Sequence, residues 1–166
     1  MKNKAVFFDR DGVVNREKGK YVRNIEDFRL NPGVLKSIKL LKANAYKVII
    51  VSNQGGISKG LYTKENLDCI HDLLIQQVRR IGADIDEIYI CPHHSSIEKC
   101  LCRKPSGLML EKAIARFDID KSRAVFIGDA DRDVEAANRT GIRGIKIDTN
   151  SNIFPVVKQI IHGRVN

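Results

Sequence analysis

The stretch "AVFFDRDGVVN", Ala5 to Asn15, ends an apolar run on two aspartates one residue apart, with Arg10 between them. Ala5, Val6, Phe7 and Phe8 are apolar without alternation, the pattern of a strand covered on both faces. In an extended chain alternate side chains share a face, so Asp9 and Asp11 leave the same side, with Cα atoms about 7 Å apart. Gly12 then releases the backbone into a turn. Two carboxylates converging at a strand end repel each other unless a cation or a shared proton compensates. A divalent ion would supply that cation, and oxygen donors suit magnesium. Aspartate is also the ordinary N-cap and turn residue of loops, so the stretch by itself leaves both readings open.

Working outward, strand-like and helix-like segments alternate along the chain. A polar loop, residues 16–31, precedes Pro32, which opens a helix whose Val34, Leu35, Ile38 and Leu41 recur at helical spacing. "KVIIVSNQGG" (47–56) reads as a second strand. Thr63 with Asn66 caps an amphipathic helix bearing Leu67, Ile70, Leu74 and Val78. "IDEIYICPHH" (85–94) is a third strand, followed by a helix over Leu108–Phe117. "RAVFIGDADRD" (123–133) is a fourth strand and turn, and Val134–Thr140 a helix closed by Gly141. "GIKIDT" (144–149) is a fifth strand, and Pro155–His162 a terminal helix.

This order predicts an α/β protein: a Rossmann-like, doubly wound parallel sheet with helices on both faces. One domain is expected over 1–166, with no large cap domain. In such sheets the chemistry gathers at the carboxyl ends of the strands. Here those ends read Asp9-Arg10-Asp11-Gly12, Ser52-Asn53-Gln54, Cys91-Pro92-His93-His94 and Gly128 through Asp133. Four polar clusters on one rim are far less probable by chance than one.

Composition narrows the classes. The 166 residues are 43% hydrophobic and 30% charged, ordinary for a soluble protein. No apolar run approaches the roughly 18 residues of a membrane span, and "MKNK" leads straight into a strand rather than into a secretory h-region. A cytoplasmic monomer with no membrane partner is expected. The formal net charge of +9 favours anionic partners. Because Lys and Arg are scattered, with few aromatics for bases to stack on, an anionic small molecule is a better match than nucleic acid.

The clusters supply the parts of a phosphoryl-transfer site. Asp129, the first acid after "VFIG", is the natural further metal ligand, and Asp133 an anchor for a metal-bound water or a nearby cation. Asp131 is a bystander. One aspartate of the pair can attack phosphorus while the other, with Arg10 beside it, exchanges a proton with the bridging oxygen. Ser52 and Asn53 offer a hydroxyl and an amide to phosphate oxygens, and Lys104 a stabilising charge.

Of the four cysteines, Cys69 lies in the amphipathic helix and reads as a buried small hydrophobe. Cys91, Cys100 and Cys102 form "CPHHSSIEKCLC" with His93 and His94. Cys-x-His followed by Cys-x-Cys provides the four soft ligands of a closed structural zinc site, with His93 ahead of His94 as the fourth ligand. A disulfide or free thiols are the alternatives. A zinc-pinned loop would fix Arg103 and Lys104 at the rim.

In that order, Asp9-Arg10-Asp11-Gly12, Val51-Ser52-Asn53, Lys104 and Gly128-Asp129 through Asp133 resemble the four motifs of the haloacid-dehalogenase-like phosphatases, over about residues 4–149. The resemblance implies Asp9 as nucleophile, Asp11 as general acid/base, and magnesium held by Asp9, the Asp11 carbonyl and Asp129. Val13 departs from the threonine usual there. "DRDG", "SNQGGISKG", "CPHH…CLCRKP" and "GDADRD" look like the heptose-1,7-bisphosphate 7-phosphatases, which serve nucleotide-activated heptose synthesis. Histidinol-phosphate phosphatases share the clip, and the short loop between His93 and Cys100 is nearer their type. The heptose reading implies Arg103 on the distal phosphate, Lys104 on the departing one, and Ser52, Asn53 and Gln54 lining the pocket. Tyr21, in the loop after the first strand, reads as a surface-packing aromatic or a weaker pocket residue.

Overall fold

The computed structural model describes residues 2–163. Five strands, β1 (Asn3–Phe8), β2 (Tyr46–Asn53), β3 (Glu87–Cys91), β4 (Ile119–Gly128) and β5 (Arg143–Lys146), form one parallel sheet in the order β3-β2-β1-β4-β5. The chain winds outward from β1 through β2 to β3, then returns to the other side of β1 for β4. The switch point therefore lies between β1 and β4, where such sheets open a crevice at their carboxyl ends.

Five helices connect and cover the strands: α1 (Val34–Ala43), α2 (Lys64–Arg80), α3 (Leu108–Arg116), α4 (Asp131–Thr140) and α5 (Phe154–Ile161). Val6 and Phe8 of β1 join Val48 and Ile50 of β2 in a core with Ile38, Leu74 and Val157 of α1, α2 and α5. Ala5 and Phe7, one residue out of phase, join Ile49 and Val51 in a second core with Leu110 and Ala137 of α3 and α4. Strand periodicity thus divides one apolar run between two layers. Both faces are covered, as the unalternating sequence predicts.

Element bounds differ at the ends. The α4 helix begins at Asp131, three residues before the expected start, because Asp133 turns back so that its Oδ2 accepts the Ala130 N–H at 3.1 Å. Strand β5 ends at Lys146 rather than running to Thr149. Thr63 and Asn66 form the reciprocal cap expected of them. Cys69 is exposed, not buried. The buried face of α2 carries Leu67, Ile70, His71, Leu74 and Val78, and Cys69 falls on the other side of the helix. No helix among the described residues is long and apolar enough to cross a membrane.

Candidate active site

Phe8 of β1 lies in register with Ile127 of β4, so the residues that follow each strand emerge side by side. The Asp9 N–H donates to the Ile127 carbonyl at 3.0 Å and ties the two strand ends together. Carboxylate oxygens of Asp9, Asp129 and Asp133 lie within 4.8 Å of one another. Octahedral magnesium, with Mg–O near 2.1 Å, sets its ligand oxygens about 3–4 Å apart, so an all-oxygen cluster of this size fits the ion. The close approach requires Gly12. Its φ is +85°, and a Cβ there would stand 2.1 Å from Asp129 Oδ2. Thr149 donates to that same oxygen at 2.8 Å and fixes the carboxylate.

Lys104 is buried at the heart of the cluster. Its Nζ contacts Asp9 Oδ1 at 2.8 Å, Asp133 Oδ1 at 2.9 Å and the Val51 carbonyl at 2.8 Å. Two carboxylates and a carbonyl thus surround the ammonium, the Asp133 contact being an ion pair without a hydrogen bond. Asp133 therefore anchors the cation, while Asp131 points away and pairs at the surface with Lys146. Burial raises the Asp9 pKa to about 7; Lys104 opposes the shift, and the neighbouring Asp133 charge adds to it.

Asp11 has the opposite fate. Arg10 Nη2 reaches both of its oxygens, at 2.8 and 3.0 Å, Asn15 Nδ2 donates to Oδ1 at 3.0 Å, and Gln54 Nε2 to Oδ2 at 2.8 Å. Burial works to raise its pKa, but the Arg10 charge and these hydrogen bonds outweigh it and hold Asp11 below the usual carboxylate value. The Asp11 carbonyl accepts no hydrogen bond among the described residues.

The second cluster sits beyond β3. Donor atoms of Cys91, His93, Cys100 and Cys102 all lie within 4.8 Å of one another. Cys91 Sγ is 3.0 Å from Cys102 Sγ and 3.6 Å from Cys100 Sγ, and His93 Nδ1 is 3.3 Å from Cys102 Sγ. The four cysteines are unbridged. Tetrahedral zinc, at 2.0–2.3 Å from its donors, sets them about 3.3–3.8 Å apart; the Cys91–Cys100 and His93–Cys102 contacts are at that spacing, the Cys91–Cys102 pair is closer, and three thiols with an imidazole are the donor types of a zinc site. His94 instead meets the Ser96 hydroxyl with Nδ1 at 2.8 Å.

A family model described as HAD-hydrolase-like matches residues 101–152. The chain is 41% identical over 136 residues to the D-glycero-alpha-D-manno-heptose-1,7-bisphosphate 7-phosphatase of Campylobacter jejuni, covering 82% of this chain and 77% of the relative. It is 34% identical over 163 residues to the D-glycero-beta-D-manno-heptose-1,7-bisphosphate 7-phosphatase of Rhodopseudomonas palustris, covering 95% and 89%. The crystal structure of the D,D-heptose 1,7-bisphosphate phosphatase of Bordetella bronchiseptica, complexed with magnesium and phosphate, superposes with a TM-score of 0.90 at 28% identity, covering 96% of this chain and 99% of that one. The chain belongs to the haloacid-dehalogenase-like phosphatases.

As a member of that family it is an enzyme, and two of its expected site side chains, Asn53 and Gln54, are engaged inside the protein. Asn53 does not offer its whole amide to a phosphate. Its Nδ2 donates to the Lys104 carbonyl and its Oδ1 accepts the Lys104 N–H, both at 3.0 Å, so it positions the lysine. Gln54 is buried, and its amide is fully engaged within the protein. Its amide N–H groups go to Asp11 Oδ2 and Ser52 Oγ, and its carbonyl accepts from the Tyr62 hydroxyl at 2.6 Å. Val13 is fully buried, a core side chain where the family pattern has a hydroxyl. Ser52 accepts from Gln54 at 2.7 Å and keeps its own proton for another acceptor. Tyr21 packs on Tyr62, ring centroids 6.0 Å apart, a packing aromatic. Arg103 donates to the His93 carbonyl at 2.8 Å, and so is held by the cysteine-histidine loop.

Sequence reading missed Tyr62, His71 and Thr149. His71 carries the one available signal, a polar residue on the apolar face of an amphipathic helix.

Proposed function

We propose that the enzyme removes the 7-phosphate of D-glycero-D-manno-heptose 1,7-bisphosphate through an aspartyl-phosphate, with magnesium at the oxygen cluster and zinc in the cysteine-histidine loop. The observation that carries the reading is the meeting of Asp9, Asp129 and Asp133 around Lys104 at the β1/β4 switch point. Three carboxylates there face one ammonium, since Arg10 is committed to Asp11. The shortfall of two positive charges is that of one divalent ion. Asp9, Asp129 and the Asp11 carbonyl would hold magnesium, which when bound neutralises charge on the phosphoryl group and on Asp9.

Asp9 Oδ1 is occupied by Lys104 and by the Arg10 N–H at 2.7 Å, which leaves Oδ2 to attack phosphorus. The P–O bond to C7 of the sugar breaks, and Asp11 gives its proton to the departing oxygen. Water then attacks the phosphorus of the aspartyl-phosphate while Asp11 takes its proton, and Asp9 is restored as a carboxylate. At rest Arg10 keeps Asp11 ionised. The arriving phosphate brings negative charge alongside, which favours the protonated form that the first step needs. Ser52, one N–H of Asn53, and Lys104 face the departing phosphate.

A recess of about 500 Å³ is lined by Arg103 and Lys104 with residues of the cysteine-histidine loop, Lys99 and Glu98 among them. Arg103, held by that loop, is the contact for the distal phosphate. The protein acts as one domain and a cytoplasmic monomer, taking a small anionic substrate rather than nucleic acid. The test is phosphate release from heptose 1,7-bisphosphate with and without magnesium, with the product located by NMR. A 1-phosphate product formed only with magnesium is expected. Faster turnover of histidinol phosphate would overturn the substrate, and metal-independent turnover would overturn the mechanism. Metal analysis of protein purified without chelator should find about one zinc per chain, bound by Cys91, His93, Cys100 and Cys102.

A further inference from the structure

We propose that Tyr62 and His71 are positioning residues for Asp11, each fixing one of the two long side chains that grip its carboxylate. The inference rests on the general acid/base role proposed above for Asp11.

The first arm runs through Gln54. A carboxamide can turn over by half a rotation and present oxygen where nitrogen had been. With Gln54 reversed, its Oε1 would face Asp11 Oδ2, the two now 2.8 Å from nitrogen to oxygen, and the carboxylate would be repelled. The Ser52 hydroxyl does not prevent this, because a hydroxyl both donates and accepts. Tyr62 does. The Gly56 N–H is directed at the oxygen of its hydroxyl and sets it to donate, which it does to Gln54 Oε1 at 2.6 Å; burial, the largest influence on it, raises its pKa to about 12, so the proton stays in place at every working pH. The ring is itself seated closely: a Cβ on Gly56 would stand 2.2 Å from Tyr62 Cε1.

The second arm runs through Arg10, whose guanidinium is buried with Nε unpartnered. Nη2 holds Asp11, and Nη1 lies 3.4 Å from His71 Nε2. A guanidinium only donates, so His71 is a neutral ring with its proton on Nδ1 and a lone pair turned to Arg10. Burial, with the Arg10 charge next, brings the His71 pKa down to about 4 and keeps that form. Both arms end on residues far along the chain from Asp11, on or just before α2. The helix thereby sets the direction of a carboxylate that belongs to the β1 loop.

The experiment compares Asp11→Asn, Tyr62→Phe, His71→Leu and His71→Gln on two substrates: the heptose bisphosphate, whose alkoxide must be protonated as it leaves, and p-nitrophenyl phosphate, whose phenolate need not be. The quantity read is the single-turnover rate of phosphoenzyme formation, together with KM and Tm. Asp11→Asn should slow the sugar substrate by about 10²-fold or more beyond its effect on the aryl ester. Tyr62→Phe and His71→Leu should each slow the sugar substrate about tenfold, with KM within about twofold and little change on the aryl ester. His71→Gln, whose Oε1 can take the place of Nε2, should return most of the rate. Equal losses on both substrates, or losses that follow Tm and are not rescued by His71→Gln, would overturn the positioning role. If Asp11→Asn itself shows no dependence on the leaving group, the acid/base reading fails and the inference with it. If Asp11→Asn shows that dependence and the other variants do not, only the inference fails.

Discussion

Two lysine-bound aspartates, one at each end of the sheet, show how this fold uses buried charge. Asp86, just before β3, accepts from Lys42 at 2.7 Å, Lys47 at 2.9 Å and the Val48 N–H at 2.8 Å. Burial works to raise its pKa, but these partners prevail and hold it below the usual carboxylate value. Asp9, at the carboxyl end of β1, has a single lysine, which it shares with Asp133, and burial brings its pKa up to about 7. Asp86 has cations to match its charge. Asp9 and its neighbours lack them, and the deficit marks the place where a divalent ion and a phosphoryl group belong.

The sharpest way to break that contrast is Asp9→Asn. Phosphate release should fall by about 10³-fold or more, as loss of a nucleophile does, yet stability should not fall. The folded pKa of Asp9 lies above its unfolded value, so the native state holds the extra proton between about pH 4 and pH 7. The wild-type contribution is then best at low pH and declines as pH rises through that window. In chelator, Asp9→Asn should therefore gain Tm over wild type from pH 5 to pH 7.5, and magnesium should close the gap. A variant uniformly less stable than wild type would show that Asp9 is satisfied as Asp86 is.

Lys104→Met comes next. It leaves three carboxylates with no cation, and denaturant titration should show a loss of about 3–5 kcal/mol in the absence of metal. Asp86→Asn mirrors Asp9→Asn: about 1.5–3 kcal/mol of stability lost at pH 7 with kcat unchanged. The folded pKa of Asp86 lies below the unfolded one, so its contribution is present above about pH 4 and disappears as pH falls through the folded value. The difference between variant and wild type should shrink accordingly in acid. Removal of the proposed zinc, by chelation or by His93→Ala, should lower kcat/KM about 10- to 100-fold by freeing Arg103, and expose residues 92–103 to protease, while His94→Ala should leave metal content unchanged. Asp131→Asn should change neither activity nor stability measurably, since an exposed pair contributes little.

The parts of this architecture that follow from nearest neighbours were readable in advance. Apolar runs gave the strands, Thr63 with Asn66 gave the start of α2, and the spacing of Cys91, His93, Cys100 and Cys102 gave a ligand set that the fold closes within 4.8 Å. Partnerships between distant residues were not readable. Gln54 sits among the strand-end polar residues like a pocket side chain, and only the arrival of Tyr62 and Asp11 from separate loops turns it inward. Asn53 divides its amide with Lys104, which the cysteine loop brings back to it from 51 residues along the chain. Cys69 is flanked by apolar neighbours at 67 and 70 that do not share its face of the helix, so local sequence suggests a burial the fold does not give it.

The central place of β1 has a consequence for how the molecule is made. The strand carrying Phe7 and Phe8 is synthesised before β2 and can pair with it soon afterwards, but its other edge has no partner until β4 is synthesised. Throughout that interval the nascent chain carries an open apolar edge of the kind that recruits chaperones or aggregates. Asp9, the proposed nucleophile, is thus made well before Asp129 and Asp133, and the carboxylate cluster closes only once both have been translated.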